Sequence, residues 1–513
     1  MSDTIWELLA PHPADASAIG AADRPWLTHG ALRELAAATV QRLNDLGIGR
    51  NDRVAMVLPN GPEMAAAFIA IGCGATTVPL NPAYREEEYD FYISDLSARA
   101  LVVTADYHGP ALAVAEKHGV RVLRLTTGAD WPAGRFELQA TDEAAGGAGL
   151  SGFAGSDEVA LVLHTSGTTS RPKIVPLLQR NLAASARHIG TTLALTPQDR
   201  CLNIMPLFHI HGLIAAVLSS LAAGGSIWCA PGFNALQFFS WLTTAGPTWY
   251  TAVPTMHQTI LARAERNRTA AREAGLRFIR SSSASLPPQV MTALEATFHC
   301  PVIESYGMTE ATHQMASNPL PPQPRKPGSV GVEAGPRMRI AHESENRLLD
   351  GAGATGEVVI CGPNVTPGYE GNPQANSTAF FQVAGERWFR TGDQGAFDDE
   401  GYLRITGRLK EIINRGGEKV SPLEVDEVMM DHPAVAQAVT FAMPHPRLGE
   451  EVAAAVVLRE GHSADERELR EFAAQRLSDF KVPHRVLILQ EIPKGATGKL
   501  QRIGLAEKLG VTS

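Results

Sequence analysis

From Asp52 onward the chain alternates short apolar runs with longer stretches of helical character. Asp52-Arg53 leads an apolar run to Pro59, an Ala-rich stretch continues to Gly74, and a second apolar run ends at Pro79. Asp199-Arg200 opens the same order again, through Pro206, an uncharged helical stretch, Gly224-Gly225 and Pro231. Short apolar runs separated by helices signal βαβ units, whose right-handed crossovers build parallel sheets covered by helices on both faces. The echo therefore predicts two such sheets. Between Arg337 and Tyr402 the texture changes to short alternating runs, among them Glu357-Val-Val-Ile-Cys361 and Gly401-Tyr-Leu-Arg-Ile405, punctuated by Gly, Pro and Asn. That pattern predicts an antiparallel sheet or small barrel.

Beyond Arg408 the pattern shifts once more. A helix is expected near Glu424 to Met430, strands near Val435 to Phe441 and Val452 to Leu458, and another helix near Ala464, with Ser463 and Glu466 spaced as its capping box. A segment of about a hundred residues can hold a core of its own. The expected fold class is α/β. A large N-terminal domain over 1–407 would contain two helix-covered mixed or parallel sheets plus a small β-barrel, and a smaller α+β C-terminal domain would occupy 408–513.

Composition narrows the class without changing this layout. At roughly 150 residues per domain, 513 residues make about three domain-sized units. Hydrophobic residues are 44% and charged residues 19%, a balance that excludes a charged disordered chain and a membrane-embedded one. A formal net charge of -9 provides no general field for nucleic acid or anionic lipid, so any polyanion must bind locally. Five scattered cysteines (Cys73, Cys201, Cys229, Cys300, Cys361) fit neither a disulfide framework nor a zinc cluster and read as reduced packing residues. Met1-Ser-Asp-Thr lacks the basic and apolar regions of a secretory signal, and Val511-Thr512-Ser513 is no peroxisomal tripeptide. Leu213 to Ala230 is uncharged, but Gly224-Gly225 and two serines interrupt it as a membrane span. A cytoplasmic protein without a membrane span is expected; the oligomeric state stays open.

The most informative stretch is Leu161-Val-Leu-His-Thr165-Ser-Gly-Thr-Thr-Ser-Arg-Pro-Lys173, an apolar strand running into a hydroxyl-rich loop with two cations. Hydroxyls and backbone N–H groups around Gly167 can cradle phosphates, and Lys173 supplies a point charge. It is not a Walker A loop, and neither is Gly495-Ala-Thr-Gly-Lys499, because the glycine spacing and following hydroxyl are absent.

Together with five further motifs, this loop resembles the acyl-adenylate-forming superfamily of acyl-CoA synthetases, peptide-synthetase adenylation domains and firefly-type luciferases. Thr165-Ser-Gly-Thr-Thr-Ser-Arg-Pro-Lys173 is similar to its phosphate loop, Tyr306-Gly-Met-Thr-Glu310 to its adenine and magnesium motif, and Trp388-Phe-Arg-Thr-Gly-Asp393 to its ribose motif. Gly407-Arg408-Leu-Lys410 is similar to the interdomain hinge, Gly416-Gly417-Glu418 to the following loop, and Pro493-Lys-Gly-Ala-Thr-Gly-Lys499 to the C-terminal lysine motif. One departure is Ser170, where most members carry a second glycine.

The resemblance implies ATP, Mg²⁺ and coenzyme A as ligands and a C-terminal domain that moves. It assigns ATP to Thr165, Ser166, Gly167, Thr168, Thr169, Lys173, Tyr306, Gly307, Thr309, Glu310, Asp393, Arg408 and Lys499. Tyr306 would stack on adenine, Thr309 bond the α-phosphate, and Asp393 and Arg408 hold the ribose hydroxyls. Glu310 would be the Mg²⁺ ligand, since hard oxygen donors suit that ion. When a carboxylate attacks the α-phosphate both reactants are anions, so a cation must be supplied. Lys499 is expected to contact both, and removing such a donor costs about 10²- to 10³-fold in rate. Lys499, Thr165 and His209 are the expected catalytic residues, Lys410 the hinge, and Gly416, Gly417 and Glu418 the lining of the CoA tunnel.

The segments expected to line the acid pocket are polar. Pro206-Leu-Phe-His209-Ile-His211-Gly212 carries two histidines, Arg280-Ser-Ser-Ser-Ala-Ser285 is rich in hydroxyls, and His313 follows Glu310 by three residues. A fatty-acid tunnel would leave such donors unpaired at roughly 1 to 3 kcal/mol each, whereas a second carboxylate would satisfy them. His209, His211, Ser283, Ala284, Met308 and His313 are the expected acid-binding residues. Ser281, Ser283 and Ser285 alternate, so on a strand only one face can point inward, and Ser283 is favoured. The stretch from Tyr306 to Pro321 with the hydroxyl-rich loop resembles oxalate CoA ligases. A medium-chain or malonate-type CoA ligase and a catalytically silent nucleotide-binding scaffold remain the alternatives.

Overall fold

The computed structural model describes residues 3–141, 149–165, 172–494 and 500–511. Both echoed segments are βαβ units. Strand Arg53–Val57, helix Pro62–Gly72 and strand Thr76–Pro79 form the first, with Arg53 in parallel register with Thr76. Strand Arg200–Asn203, a π-helix His211–Leu218 continued by helix Ser219–Ala222, and strand Ser226–Cys229 form the second, with Arg200 in register with Ser226. Both crossovers are buried in the core, which is why Pro62–Gly72 and His211–Leu218 are apolar nearly all round.

The Asp-Arg pair performs the same task in each unit. Asp52 accepts from Gly49 N–H and Asp199 from Thr196 N–H, both at 2.8 Å, and their carbonyls receive Thr76 N–H and Ser226 N–H, both at 2.9 Å. Arg53 donates to Leu96 O at 2.9 Å and Arg200 to Ala245 O at 2.7 Å, tying each strand to a neighbouring helix. The pairs differ in their partners. Asp199 meets Arg277 through both carboxylate oxygens at 3.0 Å, whereas Asp52 faces Arg99 at 3.7 Å.

The first unit lies in a seven-stranded sheet and the second in a nine-stranded one. Each is parallel at its centre and antiparallel at an edge, through Lys173–Leu178 in one and His313–Ser317 in the other. The six-stranded third sheet, built from residues 337–408, pairs antiparallel throughout, as the alternating runs predicted. Residues 413–489 form the fourth sheet, in which Val435–His445 and Gly449–Leu458 make a long antiparallel ladder. Helices Pro422–Met430 and Glu466–Ala474 belong to this last segment.

The capping box proposed for the second of these helices is corrected. Asp465, not Ser463, is the N-cap: it is extended, at φ -108° and ψ 170°, and accepts from Glu468 N–H at 2.8 Å. Glu466 lies inside the first turn and instead accepts from Val486 N–H at 3.0 Å. An aspartate in the capping position with acids behind it suits the positive end of the helix dipole.

Apolar residues of the last segment, among them Ile413, Val420 and Val425, share one buried cluster with Leu202, Leu286 and Val302 of the nine-stranded layer. Polar contacts cross the same boundary, from Lys419 to Glu343 at 2.6 Å and from Arg404 to Glu427 at 2.9 Å. Among the described residues no helix is long and apolar enough to cross a membrane; Leu213 to Ala230 is core. All five cysteines are free, and four of them are buried.

Candidate active site

The parallel strands of the nine-stranded sheet end together, and the candidate site is built on those carboxyl ends, where open α/β sheets place their ligands. Thr251 and Arg280 are register partners on adjacent strands. Strand Phe278–Ser281 stops one residue later, and Ser283 takes φ 75°. The next strand, Val302–Met308, turns through Thr309–Ala311 and returns as His313–Ser317, with Met308 opposite His313. The return is so close that a Cβ on Gly307 would lie 1.8 Å from the His313 carbonyl oxygen, so this position admits only glycine.

At one end, Thr165 stands opposite Lys173 in an antiparallel pair. Ser166, Gly167, Thr168 and Thr169 lie outside the described residues. The Lys173 ammonium sits 4.4 Å from the centre of the Tyr369 ring, and the Tyr369 hydroxyl donates to Glu310 Oε1 at 2.8 Å. Glu310 is buried, and burial raises its pKa, a cost that a bound cation would relieve. No group of three or more His, Cys, Asp or Glu gathers among the described residues. One buried carboxylate with the Lys173 ammonium on the other side of Tyr369 fits Mg²⁺, which would take its remaining oxygens from other ligands and water.

Tyr306, Asp393 and Arg408 form a second group. Asp393 is buried and in register with Arg408 across two antiparallel strands. The half-buried Tyr306 donates its hydroxyl to Asp393 Oδ2 at 2.5 Å, and Arg408 Nε lies 3.4 Å from Oδ1. Burial and then the Asp393 charge keep the Tyr306 phenol protonated, while Asp393 raises the pKa of the Arg408 guanidinium.

The third group is a buried polar network. His211 Nδ1 lies 3.0 Å from Ser283 Oγ and Nε2 lies 2.6 Å from Thr251 Oγ1. Arg280 approaches His211 Nε2 at 3.5 Å, His313 Nδ1 at 3.4 Å and Gln314 Oε1 at 3.2 Å. The two imidazole rings are 5.0 Å apart. His209 Nδ1 accepts from His211 N–H at 3.3 Å, just before the segment begins. Met308 is half-buried and Ala284 exposed at the rim.

Away from these groups, Lys410 is exposed in the turn after Arg408. Gly416 and Gly417, at φ 61° and 99°, make the two-residue turn of a hairpin in which Arg415 faces Glu418. Lys499 lies outside the described residues, between Lys494 and Leu500, which pair as an isolated bridge. Sequence reasoning missed Tyr369 and Thr251, which belong to no motif, did not single out Gln314 within the Tyr306–Pro321 stretch, and left Arg280 as the unremarked start of a serine run.

The three groups come from three sheets, the Thr165–Lys173 pair from the seven-stranded one, Asp393 and Arg408 from the six-stranded one and the polar network from the nine-stranded one, and the chain belongs to the AMP-binding enzyme family. That family matches residues 6–370, and the AMP-binding enzyme C-terminal domain matches residues 424–499. The chain is 44% identical over 512 residues to the oxalate–CoA ligase of Arabidopsis thaliana, covering 98% of both. It is 40% identical over 485 residues to the oxalate–CoA ligase of Saccharomyces cerevisiae, covering 90% of this chain and 88% of that one. Among solved structures, ATP-bound MatB from Rhodopseudomonas palustris superposes with a TM-score of 0.87 at 29% identity, covering 99% of each chain.

Proposed function

We propose that this enzyme is an ATP- and Mg²⁺-dependent CoA ligase that activates oxalate. The observation that carries the choice of acid is the buried network of His211, Ser283, Thr251, Arg280 and His313. An alkyl chain beside it would leave hydrogen-bonding groups unmatched, at about 1 to 3 kcal/mol apiece. The oxalate-specific names of two relatives at 44% and 40% identity support the same reading.

In the first step a carboxylate oxygen attacks the α-phosphorus of ATP, the bond to the β-phosphate oxygen breaks, and pyrophosphate leaves. Lys499 supplies the cation between the two anions, and Thr165 and Lys173 hold phosphate with Ser166, Gly167, Thr168 and Thr169. Asp393 and Arg408 take the ribose hydroxyls, Tyr306 and Gly307 border the adenine, and Thr309 bonds the α-phosphate. Glu310 would hold Mg²⁺, which would supply positive charge to the phosphates. In the second step the CoA sulfur attacks the acyl carbon, the carbon–oxygen bond to AMP breaks, and the thiol proton is released.

The two steps need different neighbours at one carbonyl, so the segment 408–513 is proposed as a domain that turns at Lys410. Turning withdraws Lys499 and brings Gly416, Gly417 and Glu418 to the pantetheine path, with His209 at its inner end. Free, buried cysteines accord with a cytoplasmic location. The test is a panel of oxalate, malonate, octanoate and benzoate, assayed for pyrophosphate release and for CoA thioester. Oxalate should give both products with the best kcat/KM, and Lys499→Ala should lose about 10²-fold or more of pyrophosphate–ATP exchange. Thioester from octanoate but not oxalate would refute the choice of acid.

A further inference from the structure

Arg280 has no exposed surface and is among the largest fully buried side chains. Among the described residues no carboxylate lies within ion-pair distance of it; its partners are His211, His313 and Gln314, and its Nε has none. The contrast with Arg390 is direct, since that half-buried guanidinium is paired with Glu357. Burial pushes the Arg280 pKa down to about 9, so the group is still a cation at neutral pH. A buried charge without a counterion is costly, and its persistence calls for an anion from elsewhere.

A guanidinium can only donate hydrogen bonds, which fixes the protons around it. His211 Nε2 and His313 Nδ1 face Arg280 at 3.5 and 3.4 Å, and His211 Nε2 also meets Thr251 Oγ1 at 2.6 Å; accepting at these nitrogens would place each ring's proton on the opposite nitrogen. In that arrangement His211 would donate from Nδ1 to Ser283 Oγ, 3.0 Å away, leaving the Ser283 hydroxyl hydrogen to be directed onward. The polar chain from Arg280 through His211 therefore ends in a donor at the residue on the edge of the pocket.

We propose that Arg280 is the specificity-determining positioning residue of the acid pocket, its buried charge balanced by the second carboxylate of a dianionic substrate. Its fork also sets the tautomers of His211 and His313, so that Ser283 donates to that carboxylate. The inference rests on the proposed ligase activity and adds to it the source of selection for a second negative charge. Glyoxylate, which has nearly the shape of oxalate but one carboxylate, is the discriminating probe.

The test compares oxalate and glyoxylate in pyrophosphate release by the full chain and by Arg280→Met, Arg280→Gln and Arg280→Lys. Circular dichroism and the KM for ATP report folding. In folded Arg280→Met the KM for oxalate should rise about 10²-fold while the KM for ATP stays within about twofold, and the preference for oxalate over glyoxylate should fall by a similar factor. Arg280→Lys keeps charge without the fork and should recover about a tenth of the lost preference. If Arg280→Met does not fold, Arg280→Gln carries the same comparison. An unchanged preference in a folded neutral variant, or equal losses on both acids, overturns this inference while leaving the ligase reading standing. A wild-type enzyme that activates only monocarboxylic acids overturns both.

Discussion

Two carboxyls of the same hairpin, Glu304 and Glu310, are both buried and have opposite uses. Glu310 accepts the Tyr369 hydroxyl at 2.8 Å, near the Lys173 ammonium, and is the proposed Mg²⁺ ligand. Glu304 accepts Leu286 N–H at 2.8 Å through Oε1, and its Oε2 has no partner. Burial, reinforced by Glu427, pushes the Glu304 pKa from an ordinary 4.5 up to about 8. The folded chain therefore keeps a proton that the unfolded chain releases above about 4.5, and stability should fall as pH rises from there through about 8. Glu304→Gln keeps the acceptor for Leu286 and removes the titration. It should flatten that slope in urea unfolding across the window and raise the melting temperature at alkaline pH; an unaltered slope would remove Glu304 as its source. At this scale the motif residues were legible because each is chemically conspicuous. Ser283 was reached by strand alternation, yet the strand ends at Ser281 and a left-handed turn at φ 75° brings Ser283 to His211. Arg280 was hidden because a basic residue at a strand end ordinarily reads as facing water.

Among the elements, the helix Glu466–Ala474 shows how a spacing rule slips by two residues. Ser463 and Glu466 satisfy the box, but so do Asp465 and Glu468, and only Asp465 has the extended backbone and the hydrogen bond. Asp465→Ala should cost about 1 kcal/mol in thermal or urea unfolding, and Ser463→Ala less than about 0.5 kcal/mol. Equal costs would show that the cap is shared. The βαβ units were legible because polar Asp-Arg starts and Gly or Pro stops frame each apolar run. The π-helical form of His211–Leu218 was not, since an all-apolar stretch carries no period from which to read its winding. That winding begins at His211, the residue that links Arg280 to Ser283.

For the whole molecule, the sequence changes texture near Arg408, but the packing across that point was not legible. The shared cluster of Val420, Val425, Leu286 and Val302 joins residues more than a hundred positions apart, and no local pattern encodes that contact. Lys410 is exposed in the turn after Arg408, and among the described residues its amide donates no backbone hydrogen bond, so a proline there removes none. Lys410→Pro should stiffen the pivot, leaving pyrophosphate release within about threefold of wild type and lowering thioester formation about 10²-fold. Separate assays of the two half-reactions check this, and equal losses in both would deny Lys410 the role of pivot. The Asp-Arg joint has a wider meaning. The same backbone fastening is cast twice in one chain, once with a guanidinium gripping both oxygens of Asp199 and once with Arg99 only grazing Asp52. Each half thus serves as the other's internal comparison: a difference in their resistance to opening belongs to the clasps added around Asp199, the Arg277 guanidinium and the Thr196 and Thr248 hydroxyls, over a backbone fastening the two share.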